Sequence, residues 1–167
     1  NFEDKLKNTI IFGNLPYNIS SQILAKIIKF KKYPPDYSAL ILMFQKEMAQ
    51  RIIGEFNTSK YGRLSILANY RLKILKRFDV SPNCFFPKPK ITSTVLYLKP
   101  NTKKIERIKN LENLEKITNI LFSNKRKMIN KSIKKIFNIE QLEVIKKNLD
   151  LKCRPSELRP EKYYELT

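Results

Sequence analysis

The sequence predicts an α/β layer over residues 1–100, followed by a small all-α domain over residues 101–167. Short apolar or alternating runs near residues 8–12, 39–44, 69–74 and 92–98 read as strands, and helical spacing fills the stretches between the first of them. Beyond Pro100-Asn101-Thr102 the strand signals stop, and apolar residues recur at helical spacing only. A length of 167 residues suits one domain with a small appendage.

Asn8 to Phe12 reads as a buried strand. A helix follows, capped by Ser20 or Ser21, with Ile23, Leu24, Ile27 and Ile28 on one face. Pro34-Pro35-Asp36 stops it. Ala39 to Phe44 is a continuous apolar run, the pattern of a core strand. Lys46 to Ile53 reads as a helix with Ala49, Ile52 and Ile53 inward, ended by Gly54 and Asn57. Tyr61 to Leu67 fits one helical turn or two. From Asn69 the chain alternates, with Tyr70, Leu72 and Ile74 on one side and Arg71 and Lys73 on the other, which is a strand signal. Ser81 to Lys90 holds three prolines and reads as an ordered loop before a strand over Thr92 to Leu98. In the second part, Ile117, Ile120 and Leu121 form one apolar stripe, Met128, Ile129, Ile133, Ile136 and Phe137 a second, and Leu142, Ile145 and Leu149 a third. Pro155 and Pro160 each stand where a first helical turn can begin.

The formal net charge is +19, from 34 Lys plus Arg against 15 Asp plus Glu. A field of that sign and size favours a polyanion, nucleic acid above all. There is no histidine, and Cys84 and Cys153 lie too far apart for metal-ligand spacing, so neither a zinc site nor His-based acid–base chemistry is expected. No apolar run is long enough to cross a bilayer, and Asn-Phe-Glu-Asp-Lys at the start lacks the apolar core of a secretory signal. The expected setting is the cytoplasm, with no membrane partner. The three glycines, Gly13, Gly54 and Gly62, form no Gly-x-Gly cluster that could cradle a cofactor.

Two segments carry chemistry. The first is Asn14-Leu15-Pro16-Tyr17, directly behind Ile10-Ile11-Phe12-Gly13. A short strand running into these four residues suits methylation of an exocyclic amine on a nucleobase. Such an amine is a poor nucleophile because its lone pair is conjugated into the ring. Two acceptors that hold its hydrogens, the Asn14 side-chain oxygen and the Leu15 carbonyl, would draw it towards tetrahedral geometry and free the pair. Pro16 fixes the turn and removes a competing donor, and Tyr17 can stack on the base. Asn and Pro are also ordinary turn residues, so four residues alone would not decide the matter. The second segment does. In Phe85-Phe86-Pro87-Lys88-Pro89-Lys90-Ile91-Thr92-Ser93, prolines stiffen a loop whose leading aromatic can cover the other face of an extruded base. Phe85 is favoured over Phe86 for that part, and Lys88 and Lys90 are placed to touch flanking phosphates.

Together these segments resemble the rRNA adenine-N6 dimethyltransferases, which dimethylate adjacent adenines near the 3′ end of small-subunit rRNA. Met43-Phe44-Gln45-Lys46-Glu47-Met48-Ala49-Gln50-Arg51-Ile52 and Tyr61-Gly62-Arg63-Leu64-Ser65 are similar to later segments of that family. So are Leu121-Phe122-Ser123-Asn124-Lys125-Arg126-Lys127-Met128, which matches its basic helix, and Cys153-Arg154-Pro155-Ser156-Glu157-Leu158. The match is dense from Ile10 to Leu98 and looser beyond. The Lys125-Arg126-Lys127 segment and the Arg154-Pro155 ending point to the housekeeping branch rather than the macrolide-resistance branch.

The resemblance implies the C-terminal part of a Rossmann-like methyltransferase sheet with S-adenosyl-L-methionine as methyl donor. Asn14 and Pro16 would lie against the donor, and Asn14, Leu15, Pro16, Tyr17 and Phe85 would form the catalytic set, Tyr17 and Phe85 clamping a flipped adenine. Lys88, Lys90, Lys125, Arg126, Lys127, Lys131 and Lys134 would hold small-subunit rRNA or a pre-ribosomal particle through phosphates and shape, and the protein would be a monomer. The family's glycine-rich turn and acidic ribose ligand precede the Asn-Leu-Pro-Tyr strand, where this chain has thirteen residues. It is therefore expected to be the C-terminal portion of a longer enzyme, binding the donor weakly or not at all by itself, with an uncovered edge on its first strand. The alternatives are a non-catalytic RNA-binding or ribosome-assembly module of the same ancestry and, behind it, a DNA adenine methylase, which usually carries a second proline where Leu15 stands.

Overall fold

The computed structural model describes residues 7–102, 108 and 110–167. Among them lie a four-stranded sheet and a set of helices, grouped into two compact units. One unit runs to Ile53 and resumes at Ala68. The other combines Gly54–Leu67 with the C-terminal helices.

In the first unit, strand β1 (Ile10–Asn14) leads through α1 (Ser20–Ile28) to β2 (Ala39–Gln45), which runs parallel to it. Helix α2 (Lys46–Ile53) follows without a break, because no residue there resists helical dihedrals until Gly54. Helix α3 (Arg63–Arg71), which enters this unit only from Ala68, runs into β3 (Leu72–Val80), and β4 (Ser93–Pro100) returns antiparallel to both β2 and β3. The strand order is β1-β2-β4-β3. The strand expected from Asn69 begins three residues later, because Asn69, Tyr70 and Arg71 close the helix instead.

Residues paired across adjacent strands project to the same face. Leu40, Leu42 and Phe44 of β2 and Leu96 and Leu98 of β4 are fully buried on one face. Helix α2 packs against β2 and β4, with Ala49 and Ile52 buried. The opposite face carries Ile41, Met43, Val95 and Tyr97, all partly exposed. On its flanks Ile10, Phe12 and Phe78 are 50%, 69% and 60% exposed. The first strand is therefore not buried as its composition suggested. It spans Ile10–Asn14, lies at the sheet edge, and turns Ile10 and Phe12 towards solvent among the described residues.

Tyr33 and Arg71 secure the end of the sheet where β3 begins and β4 ends. The Arg71 guanidinium lies 4.1 Å over the Tyr33 ring, while Tyr33 Oη donates to the Asn101 carbonyl. Loss of solvent lowers the Arg71 pKa, with the neighbouring tyrosines opposing the shift.

The second unit contains α4 (Leu111–Phe122), α5 (Asn130–Ile133), α6 (Ile139–Asn148) and α7 (Pro160–Glu165). Asn110 caps α4 by accepting from the Glu112 N–H at 2.9 Å. Asn138 and Gln141 form a reciprocal capping box on α6. Pro160 opens α7, and Pro155 opens a 3-10 turn over Pro155–Glu157. Leu114, Ile117, Leu121, Ile129, Ile133, Leu158 and Tyr163 are buried at its core.

Segment 54–67 is tied to this unit through Tyr61. Its hydroxyl donates to the Leu158 carbonyl at 2.8 Å, and its ring meets Phe56 and Phe122 edge-on. Phe122 in turn stacks on Tyr163 at 5.8 Å. Burial pushes the phenols of Tyr61 and Tyr163 well above the ordinary tyrosine range. The apolar stripe read over 128–137 does not form one helix. Met128 is 52% exposed, and α5 is four residues long. No helix among the described residues is long and apolar enough to cross a membrane.

Candidate active site at the sheet end

Ladder register places several strand termini together. Asn14, the last residue of β1, pairs with Met43, and Gln45, the last of β2, pairs with Ser93, the first of β4. Ser93 also pairs with Val80, the last of β3. The Asn-Leu-Pro-Tyr segment and the loop 81–92 thus leave the same end of one sheet.

Local chemistry shapes the first of these segments. A Cβ at Gly13 would lie 3.0 Å from the side chains of both Leu15 and Leu42, so glycine gives Leu15 room to fold in over β2. The Pro16 carbonyl accepts the Ile19 N–H at 3.1 Å, which closes a turn. The residue before α1 is Ile19, with no side-chain cap. Ser20, expected as a cap, is instead a buried first-turn residue whose hydroxyl donates back to the Tyr17 carbonyl at 3.2 Å. Asn14 and Pro16 stand exposed, and Leu15 and Tyr17 are partly buried.

The loop begins with Ser81, whose Oγ accepts the Asn83 N–H at 3.3 Å and starts a 3-10 turn over Pro82–Cys84. Phe85 follows, half-buried. Phe86 is fully exposed, so it is no core residue. Lys88 and Lys90 are exposed. At the loop's end, the Tyr17 hydroxyl meets Ser93 Oγ at 2.7 Å. This bond ties the Asn-Leu-Pro-Tyr turn to the base of the aromatic loop.

A second tie lies beside it. The Thr92 carbonyl accepts the Lys46 N–H at 3.0 Å. Asp79 takes the Lys46 ammonium and the Thr94 hydroxyl, each at 2.6 Å. Those two hydrogen bonds, Lys46 first, hold the Asp79 carboxyl below its ordinary pKa. Sequence reasoning gave Ser93, Asp79 and Thr94 no role. The one available signal was Asp79 itself, a lone acid in a strand carrying Lys73, Lys76 and Arg77.

The basic candidates divide. Lys125, Arg126 and Lys127 lie in the turn between α4 and α5 rather than on the expected basic helix, because α4 ends at Phe122 and α5 begins at Asn130. Lys125, itself exposed, donates its ammonium to the Ser59 and Tyr61 carbonyls at 3.3 and 3.1 Å. Arg126, Lys127, Lys131 and Lys134 are exposed as well.

The donor implied by the resemblance can be tested against these residues. Asn14 and Pro16 present free surface at the tip of an edge strand, which fits a small ligand lying against that edge. The rest of a cofactor cradle is not furnished by the described residues.

Comparison with known proteins places these features in a family. The family model for ribosomal RNA adenine dimethylase matches residues 2–167. Ribosomal RNA small subunit methyltransferase A of Pelagibacter ubique (strain HTCC1062) is 46% identical over 93% of this chain and 59% of its own length. The corresponding protein of Mesorhizobium japonicum is 37% identical over 94% of this chain and 55% of its own length. The chain thus spans between half and two-thirds of these relatives. Among solved structures, a dimethyladenosine transferase from Plasmodium falciparum superposes with a TM-score of 0.74 at 24% identity, covering 95% of this chain and 65% of that one. The 23S rRNA methyltransferase ErmE does so with a TM-score of 0.66 at 19% identity, covering 96% and 64%. These two likenesses establish a Rossmann-like fold. With the family match over nearly its whole length, the chain belongs to the ribosomal RNA adenine dimethylase family.

Proposed function

We propose that this chain is the base-binding and RNA-binding portion of an enzyme that dimethylates adenine N6 in small-subunit rRNA during ribosome assembly in the cytoplasm. The observation that carries the reading is the Tyr17–Ser93 hydrogen bond, which joins the amine-holding turn to the aromatic loop at one sheet end. In this reading Asn14 Oδ1 and the Leu15 carbonyl accept the two N–H groups of a flipped adenine. Tyr17 stacks on one face of the ring and Phe85 covers the other. Orientation supplies most of the acceleration, since no covalent enzyme intermediate is needed.

S-adenosyl-L-methionine, when bound, supplies an electrophilic methyl carbon on a sulfonium. Asn14 and Pro16 would hold its reactive end. With its two N–H groups on Asn14 Oδ1 and the Leu15 carbonyl, the adenine amine would present its lone pair to that methyl and would then give up a proton to solvent. Lys88 and Lys90 lie within the loop that would receive the base, and Arg126, Lys127, Lys131 and Lys134 offer cations to RNA phosphates. Lys125, bonded to two carbonyls, shapes that surface more than it contacts RNA.

The test uses the full-length protein that contains this chain. With Asn14→Ala, methyl transfer to small-subunit rRNA should fall by at least about 100-fold, as for loss of a donor–acceptor pair aimed at a transition state, while RNA affinity stays within about twofold of wild type. RNA binding without any methyl transfer by the unsubstituted protein would favour the non-catalytic assembly module. Undiminished transfer by the variant would remove Asn14 from the mechanism.

A further inference from the structure

We infer that Ser93 is a positioning residue for the Tyr17 ring, and that their hydroxyl contact governs how completely adenine is carried from the monomethylated to the dimethylated state. The inference rests on the reading above and deepens it.

Ser93 is fully buried and held in the ladder between Gln45 and Val80. Its hydroxyl is therefore a fixed post. Tyr17 comes from beyond the tip of β1, past the end of β2, to reach that post at 2.7 Å. At its other end, the Tyr17 carbonyl accepts the Ser20 hydroxyl. A tyrosine tied at its backbone and at its para oxygen cannot swing about its first side-chain torsion. Its ring stays where a base would stack.

The two transfers place different demands on that ring. Unmodified adenine offers two N–H groups, one each for Asn14 Oδ1 and the Leu15 carbonyl. After the first transfer only one N–H remains, so one acceptor has no donor and stacking carries a larger share of the hold on the base. In the second transfer the nitrogen lone pair takes a methyl from a second donor molecule. The C–S pair returns to that sulfur, and the last N–H proton leaves to solvent. A loosened Tyr17 therefore slows the second transfer more than the first. A general loss of structure would slow both alike.

The test compares the full-length protein with its Ser93→Ala, Tyr17→Phe and doubly substituted forms. Mono- and dimethyladenosine are separated after nuclease digestion of the rRNA, and thermal melts are recorded for each protein. Both single variants should lose about 3- to 10-fold in overall transfer, the size of one hydrogen bond. Both should accumulate the monomethyl product. The double variant should be no worse than either single one, because all three remove the same contact. A mono-to-di ratio equal to wild type in both singles would overturn the inference, as would losses that multiply in the double. If Ser93→Ala melts markedly early, the product ratio of Tyr17→Phe decides alone. A wild-type protein that makes no methyladenosine of either kind would overturn the underlying reading and this inference with it.

Discussion

A few side chains at this sheet end act as fasteners rather than reagents, and Asp79 shows it most simply. It joins β3 to Lys46 at the start of α2 and to Thr94 on β4. Its carboxyl is held below the ordinary carboxylate pKa of about 3.9. The stabilisation is therefore complete above that ordinary value and is lost as pH falls through the lower, folded value. The group is half-exposed, so water screens the ion pair and the effect is small. In an acid titration followed by circular dichroism, Asp79→Asn should be slightly less stable than wild type at neutral pH and converge with it at the lowest pH, which flattens the acid limb. An unaltered acid limb would show that these bonds do not contribute. At this scale residue type alone suggested the parts proposed for Asn14, Pro16 and Tyr17, and the structure sets the three in one turn at the sheet end. The fasteners were not, because Ser93, Thr94 and Asp79 acquire partners only through pairings between strands distant in sequence.

The elements were read most accurately where one force dominates. Helix α2 and strand β2 fall within a residue of their expected positions, since an uninterrupted apolar run and a clean amphipathic stripe each admit one structure. Errors arose where propensity and context compete. Tyr70 and Arg71 alternate like a strand but finish α3. The basic segment 125–127 has helical composition but lies where α4 has already stopped, with Ser123 as its cap residue. Strand β1 was misjudged differently. Its apolar residues do not imply burial, because exposure depends on what lies against its outer edge and its open face. With Ile10 and Phe12 half or more exposed, that strand is a template for pairing. The isolated chain should self-associate at tens of micromolar, measured by light scattering, and Phe12→Lys should reduce it. Monodisperse behaviour of the unsubstituted chain at that concentration would contradict the argument.

Taken as a whole, the molecule is dominated by its charge of +19. RNA binding should weaken steeply with salt, and each phosphate-contacting cation removed should lower the log–log slope by about one. Arg126→Ala and Lys127→Ala are expected to behave that way in filter-binding titrations. Lys125→Ala should instead lower the melting temperature and leave the slope nearly unchanged, because its ammonium serves two carbonyls. Equal slopes for all three variants would refute the division.

The grouping of residues 54–67 with the C-terminal helices carries a lesson for protein engineering. Arg63 bonds Glu115 at 2.9 Å and Asn119 at 3.2 Å, and Tyr61 is fastened to Leu158. A cut at residue 100 would strand those anchors on the wrong side of the scissors. A chimaera that borrows the tail of a relative should therefore keep more of its stability when it takes this inserted stretch as well, so that two separate pieces of gene travel together.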